Sequence, residues 1–196
     1  MKLLLLSDQE EPYLWDFYKP GMLADYDLIL AAGDLKAVYL EFLVTMARCP
    51  LLYVRGNHDQ LYDTQPPEGC DQVDDQLVTI NGLRILGLGG CMRYSGSAWQ
   101  FTEAEMARRI RKLRRKLKKA GGVDIVLTHA PPLGCGDGED LCHRGFACFR
   151  ELIEEYQPRY FIHGHQHLNY KTGSQRVRML GSTTVINACG RYELHF

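Results

Sequence analysis

The chain has 196 residues, enough for one domain (1–196) with a core of its own. Hydrophobic residues make up 45% and charged residues 24%, an ordinary globular composition that excludes fibrous and disordered classes. The formal net charge of −1 argues for neither a nucleic acid nor a membrane surface as a general partner.

The apolar run Lys2–Leu6 opens the chain and turns polar at Asp8. It is too short for a signal core or a membrane span and reads as a buried strand. Further strand-length runs follow at Asp27–Ala32, Leu51–Val54, Leu77–Ile80, Arg84–Leu88, Val123–Thr128, Tyr160–His163 and Val185–Ala188. Asn81-Gly82 sits between two of these runs as a two-residue hairpin turn.

Helices are expected between the strands. Ala37–Arg48 is apolar-rich and stops at Pro50. Thr102 to Glu105 has the capping-box pattern; Met106, Ile110, Leu113 and Leu117 then follow at helical spacing, and Gly121-Gly122 ends the element. A third helix spans about Phe146 to Tyr156, before Pro158. Alternation of strand and helix predicts α/β layers with helices outside.

Charge is unevenly spread. Residues 108–119 carry nine basic side chains and no acid, so the other residues together carry −10. On an amphipathic helix these cover the solvated face; the second reading is a landing surface for a polyanion. No aromatic residue interleaves with the charges, which argues against stacking on single strands. The seven cysteines are odd in number and contain no C-x-x-C, so reduced thiols and a cytoplasmic setting are expected.

Five segments end expected strands with ligand-type residues: Ser7-Asp8-Gln9-Glu10, Gly33-Asp34, Gly56-Asn57-His58-Asp59, Thr128-His129 and Gly164-His165-Gln166-His167. Carboxylates, an amide oxygen and imidazoles together suit Mn, Fe, Zn or related divalent ions and not calcium. Residues two apart in extended backbone point to one side, so Asp8 pairs with Glu10 and His165 with His167. Glycine before a ligand permits a sharp turn where a strand ends.

These motifs, in this order, resemble the calcineurin-like metallophosphoesterases, whose pattern is D-x-H, G-D, G-N-H-[DE], H and G-H-x-H. The resemblance runs from residue 8 to residue 167 and implies a four-layer α/β/β/α sandwich. It also implies two adjoining divalent metal ions, Mn or Fe foremost, with Zn, Mg and Ni as further options. Asp34 would bridge them; Asp8, Glu10 and His167 would complete the first site, and Asn57, His129 and His165 the second. His58 would assist at the substrate phosphate or the leaving oxygen, with Asp59 orienting its ring. The implied reaction is hydrolysis of a phosphomonoester or phosphodiester by a hydroxide bridging the metals, which sit about 3.5–4 Å apart. Glu10 stands where the family has His; it adds a harder, negatively charged donor and favours Mn²⁺, Fe²⁺ or Mg²⁺.

Around that centre, His143 and Arg144 in the Gly-rich 131–145 loop and Arg93 and Tyr94 in the 87–94 loop are candidates for touching substrate. Cys135, Cys142, His143 and Cys148 lack zinc-knuckle spacing. Arg55 reads as one half of a salt bridge, and His163 as a core histidine. The expected partner is a small phosphorylated substrate; no membrane is expected, nucleic acid is not favoured, and a homo-oligomer is left open. Two other readings compete: an inactive binding scaffold such as the retromer subunit of this superfamily, which lacks the histidine found here as His58, and a nuclease using the basic helix.

Overall fold

Leu3, Leu4, Leu5 and Leu6 are fully buried, as a strand covered on both faces must be. In the computed structural model, which describes residues 1–168 and 175–196, Leu4 and Leu6 pack toward one helix layer while Leu3 and Leu5 face a second sheet. This strand, β1 (Lys2–Ser7), is an interior strand of a sheet with β2 (Leu28–Ala31), β3 (Leu51–Tyr53), β4 (Asp71–Gln72) and β13 (Gly190–His195), in the order β13-β1-β2-β3-β4. β1 to β4 are parallel, and β13 pairs antiparallel with β1.

The second sheet has the order β11-β12-β10-β9-β6-β5. It comprises β5 (Gln76–Ile80), β6 (Leu83–Leu88), β9 (Ile125–Thr128), β10 (Tyr160–His163), β11 (Val177–Leu180) and β12 (Thr183–Asn187). β6, β9, β10 and β12 are parallel, with the antiparallel strands β5 and β11 at its edges. The short strands β7 (Cys91–Met92) and β8 (Gln100–Phe101) pair apart from both sheets.

Three apolar layers glue the architecture. Helix α1 (Ala37–Met46) lays Tyr39, Leu40 and Leu43 on the outer face of the first sheet. The inner faces meet through Leu28, Leu30, Leu52, Ile85, Leu127 and Ile162. Helices α2 (Glu103–Ala120) and α3 (Ala147–Tyr156) cover the second sheet with Met106, Ile110, Leu113, Leu117, Phe149 and Leu152. The result is the α/β/β/α sandwich expected from the motifs.

Local chemistry fixes the elements. The capping box closes the start of α2: Thr102 Oγ1 accepts the Glu105 N–H, and the Glu105 carboxylate accepts the Thr102 N–H. Gly121 ends the helix in the left-handed conformation, at φ 73°. Asn81 and Gly82, both at positive φ, form the β5–β6 hairpin turn. Strands β11 and β13 were not legible as apolar runs, because edge strands expose alternate or most residues.

On α2 the basic run is not uniformly free. Arg109 is anchored to Asp75 and the Gly89 carbonyl, and Arg114 pairs with Glu155. All seven cysteines are free thiols. No helix among the described residues is long and apolar enough to cross a membrane.

Candidate metal centre

Both sheets send their parallel strands' carboxyl ends to one side, where α/β sheets place their chemistry. Asp8, Asp34 and Asn57 follow β1, β2 and β3; His129 and His165 follow β9 and β10. Asp8, Asp34 and His165 have φ of 62°, 57° and 65°, a left-handed backbone that costs about 1–3 kcal/mol in a non-glycine residue and clusters at functional positions. Neighbouring glycines let these turns touch. A Cβ on Gly56 would lie 2.0 Å from Asp34 Oδ1, and one on Gly164 would lie 1.7 Å from Ser7 Oγ.

His129, fully buried, is the hub. Its Nε2 lies 3.3 Å from Asp34 Oδ2, 3.1 Å from Asn57 Oδ1 and 3.1 Å from His165 Nδ1. Its Nδ1–H donates to the Ala32 carbonyl at 2.7 Å. His165 Nε2–H likewise donates to the Cys142 carbonyl at 2.7 Å, which leaves Nδ1 of the neutral ring as a bare lone pair. Asn57 Nδ2 donates to Tyr94 Oη at 3.3 Å, turning the amide oxygen inward.

Three lone pairs therefore surround one ring nitrogen, and a single N–H serves only one of them. Donors bound to one cation at about 2.0–2.2 Å lie about 3–3.5 Å from each other. Here each of the three lies 3.1–3.3 Å from His129 Nε2, and the Asp34, His129 and His165 ligand atoms all lie within 4.8 Å of one another. The donor set fits a divalent ion.

The electrostatics agree. Burial alone would lower the His129 pKa, but the charge and hydrogen bond of Asp34, with Asp8 behind it, hold it up at about 10. Burial pushes Asp34 up, yet His129 and the His58 N–H bring it down to about 2. Burial and the charge of His129 depress His165 to about 3, so that ring is neutral at pH 7. The imidazolium of His129 thus occupies the place of a cation. A bound metal must displace its proton, so metal affinity should rise with pH up to about 10, and binding should release protons. Calorimetry in buffers of different ionisation enthalpy measures this; a binding enthalpy independent of buffer would contradict it.

The other expected ligands stand around this cluster rather than in it. The Asp8 carboxylate accepts the Ser7 hydroxyl and the His165 N–H. Burial raises its pKa, partly opposed by His129. His167 is exposed, with Nδ1 3.3 Å from Gln9 Nε2. Glu10 is ion-paired with Lys36, at 3.1 Å between Oε2 and Nζ, and also accepts the Lys36 N–H. His58 donates its backbone N–H to Asp34 Oδ1 at 2.8 Å, and its side chain lines a cleft with Asp34 and Glu10.

Asp59 departs from the expected role. Its hydrogen bonds go to the backbone N–H of Asp34 (2.9 Å) and Gly56 (2.7 Å), tying the β2 and β3 turns together instead of orienting the His58 ring. The reason is burial: the carboxylate lies beneath the two turns, where those amides need an acceptor. Burial lifts its pKa to about 6, partly offset by the Gly56 N–H.

Among the substrate-contact candidates, Tyr94 reaches the centre through Asn57. The His143 ring lies tilted, 5.5 Å from the His165 ring, while paired with Asp140. Arg93 is turned away, onto Glu105 at the start of α2. Arg144 is exposed. Arg55 pairs with Asp63, and His163 is buried with its Nδ1–H on the Gly164 carbonyl. A second group, Asp140, Cys142 and His143, lies at the surface of the same loop without Cys135 or Cys148.

Sequence reasoning missed the scaffold of the centre. Ser7, the carbonyls of Ala32 and Cys142, and Asp74, which accepts the Arg55 and Gly89 N–H groups, all hold ligands or their loops. Main-chain carbonyls carry no residue signature, and an isolated Asp gives none.

The family model for calcineurin-like phosphoesterases matches residues 10–169. The chain belongs to the calcineurin-like phosphoesterase family. The family is in general one of metal-dependent phosphoester hydrolysis, and candidate ligands for a divalent ion are present here in Asp34, His129 and His165. The chain is 27% identical to the UPF0046 protein K07C11.7 of Caenorhabditis elegans, over 96% of this chain and 69% of that protein. It is 32% identical to human metallophosphoesterase domain-containing protein 1 over 61% of this chain, a match that spans about a third (34%) of that protein. Its fold is similar to that of TT1561 of Thermus thermophilus, with a TM-score of 0.60 at 16% identity, covering 96% of this chain and 89% of that one.

Proposed function

We propose that the chain hydrolyses a small phosphomonoester or phosphodiester at the Asp34–His129 centre, with His58 acting on the substrate. The observation that carries this reading is the convergence of Asn57 Oδ1, Asp34 Oδ2 and His165 Nδ1 on His129 Nε2. Divalent ions bound there would neutralise the phosphate and supply an activated water.

The chain's own residues divide the remaining work. Ala32 and Cys142 fix the two imidazoles by their carbonyls, so the inward nitrogens need no reorganisation. Asp59 holds the β2 and β3 turns in register, which sets Asp34 against Asn57. His58 lines the open cleft beside Asp34, and in this reading it would donate a proton to the departing ester oxygen. Mn²⁺-loaded protein is expected to hydrolyse bis-p-nitrophenyl phosphate, and His58→Ala to lose about 10²–10⁴-fold in kcat, the usual worth of acid–base catalysis. Pure, metal-loaded protein inert toward both mono- and diesters would overturn the reading.

The two-ion form of this proposal depends on Glu10, which Lys36 now holds. A first-site cation would compete with that ammonium for the carboxylate. Wild type is expected to take up two ions per chain and Glu10→Ala fewer, by elemental analysis after dialysis. Equal occupancy in both proteins removes Glu10 from the ligand set.

A further inference from the structure

Beside the centre lies a cleft of about 430 Å³, within the size range of small-molecule sites. Asp34, His58 and Glu10 make its polar end. Lys36, Asp59 and Gln65 add further polar lining, and the apolar wall is made by Leu35, Ala37 and Val38, just before and at the start of α1, with Leu61 and Tyr62 from the short turn Gln60–Asp63. Val38 is 55% and Leu61 73% exposed, in a chain that buries most of its leucines and valines. Two apolar side chains from different elements are thus left in water at one opening that leads to the reacting groups.

The wall behind them is rigid. The Tyr62 hydroxyl donates to the Leu35 carbonyl, and its ring packs edge-on against Tyr53 at 5.6 Å. A fixed aromatic wall with aliphatic lips suits a flat ring, which buries much area while losing few torsions. Among the described residues, Lys36 is the one lysine or arginine lining the cleft, and Glu10 already neutralises it. A nucleic-acid strand would need a basic track here, so a long polyanion does not match this surface.

We propose that this cleft binds the apolar, ring-bearing organic group of the phosphate ester, gripped by Val38, Leu61 and Tyr62, with the phosphate directed to Asp34 and His129. The proposal rests on the hydrolase reading above and names the substrate class it takes. Discrimination therefore resides in the organic group and not in the phosphate, because an apolar pocket gains from each ring carbon it covers.

The test is calorimetric titration of Mn²⁺-loaded protein with phenylphosphonate and with methylphosphonate, neither of which is an ester. Phenylphosphonate should bind about tenfold tighter or more. In the double variant Val38→Ala, Leu61→Ala that ratio should fall toward one; both side chains are exposed, so the fold is not at risk. Equal affinities in wild type, or a ratio unchanged in the double variant, overturn the proposal. Hydrolysis of bis-p-nitrophenyl phosphate by the same preparation separates the two levels. Activity with a ratio of one sinks the cleft assignment alone, whereas no hydrolysis and no binding of either phosphonate sinks the hydrolase reading with it.

Discussion

Replacing His129 by Ala should weaken metal binding by more than about 100-fold, beyond the 10–100-fold typical of residues that merely orient ligands. The reason is geometric: His129 Nε2 is the atom on which Asp34, Asn57 and His165 converge. The metal-free protein should suffer as well. His129 is the buried cation that faces the partly buried carboxylates of Asp34 and Asp8, and removing the buried member of such a pair costs up to about 3–5 kcal/mol. Urea unfolding of the apo protein and metal titration of the same variant measure the two effects. His163→Gln is the control, because His163 is equally buried but depressed by that burial to about 4 and turned onto the Gly164 carbonyl. It should keep the metal. A His129→Ala protein that still binds metal like wild type would remove the centre.

Gly33→Ala is expected to cost about 3–5 kcal/mol. Gly33 has φ 93°, and a Cβ there would lie 2.5 Å from Gly56 N and 2.7 Å from His129 Nδ1. The left-handed backbone accounts for about 1–3 kcal/mol and the overpacking for about the same again. For a chain of this length the melting temperature should drop by about 6–20 °C. Relief of the clash moves either the Asn57 turn or the His129 ring, so metal affinity should fall too. Gly181→Ala isolates the backbone contribution: Gly181 also has positive φ (61°), but nothing lies within 4 Å of its Cβ position. That variant should lose about 1–2 kcal/mol and keep its metal. Similar losses in both variants would show that crowding at Gly33 is unimportant.

Much of this protein is written locally. The run Leu3–Leu6 announces a strand buried on both faces, because no polar residue interrupts it. The stripe Met106, Ile110, Leu113, Leu117 and the Thr102 capping box announce α2, because periodicity and caps are properties of neighbouring residues. Strands β11 and β13 escaped for the converse reason: at a sheet edge the burial that makes an apolar run is missing.

Ligand chemistry was equally local, since Asp, Asn and His after Gly at strand ends advertise themselves. What tertiary structure alone decided is which of them meet. Asn57 comes from the first sheet and His129 and His165 from neighbouring strands of the second, and only the packing of the two sheets brings Asn57 Oδ1 to 3.1 Å from His129 Nε2. Contacts between distant loops likewise put Asp59 beneath two backbone turns and Glu10 on Lys36, and folding of the 91–105 segment put Arg93 on Glu105. Residue identity determines what each side chain is able to donate or accept. Its actual partner depends on long-range burial, which strips away water and obliges every polar atom to bond with whatever the fold has placed beside it.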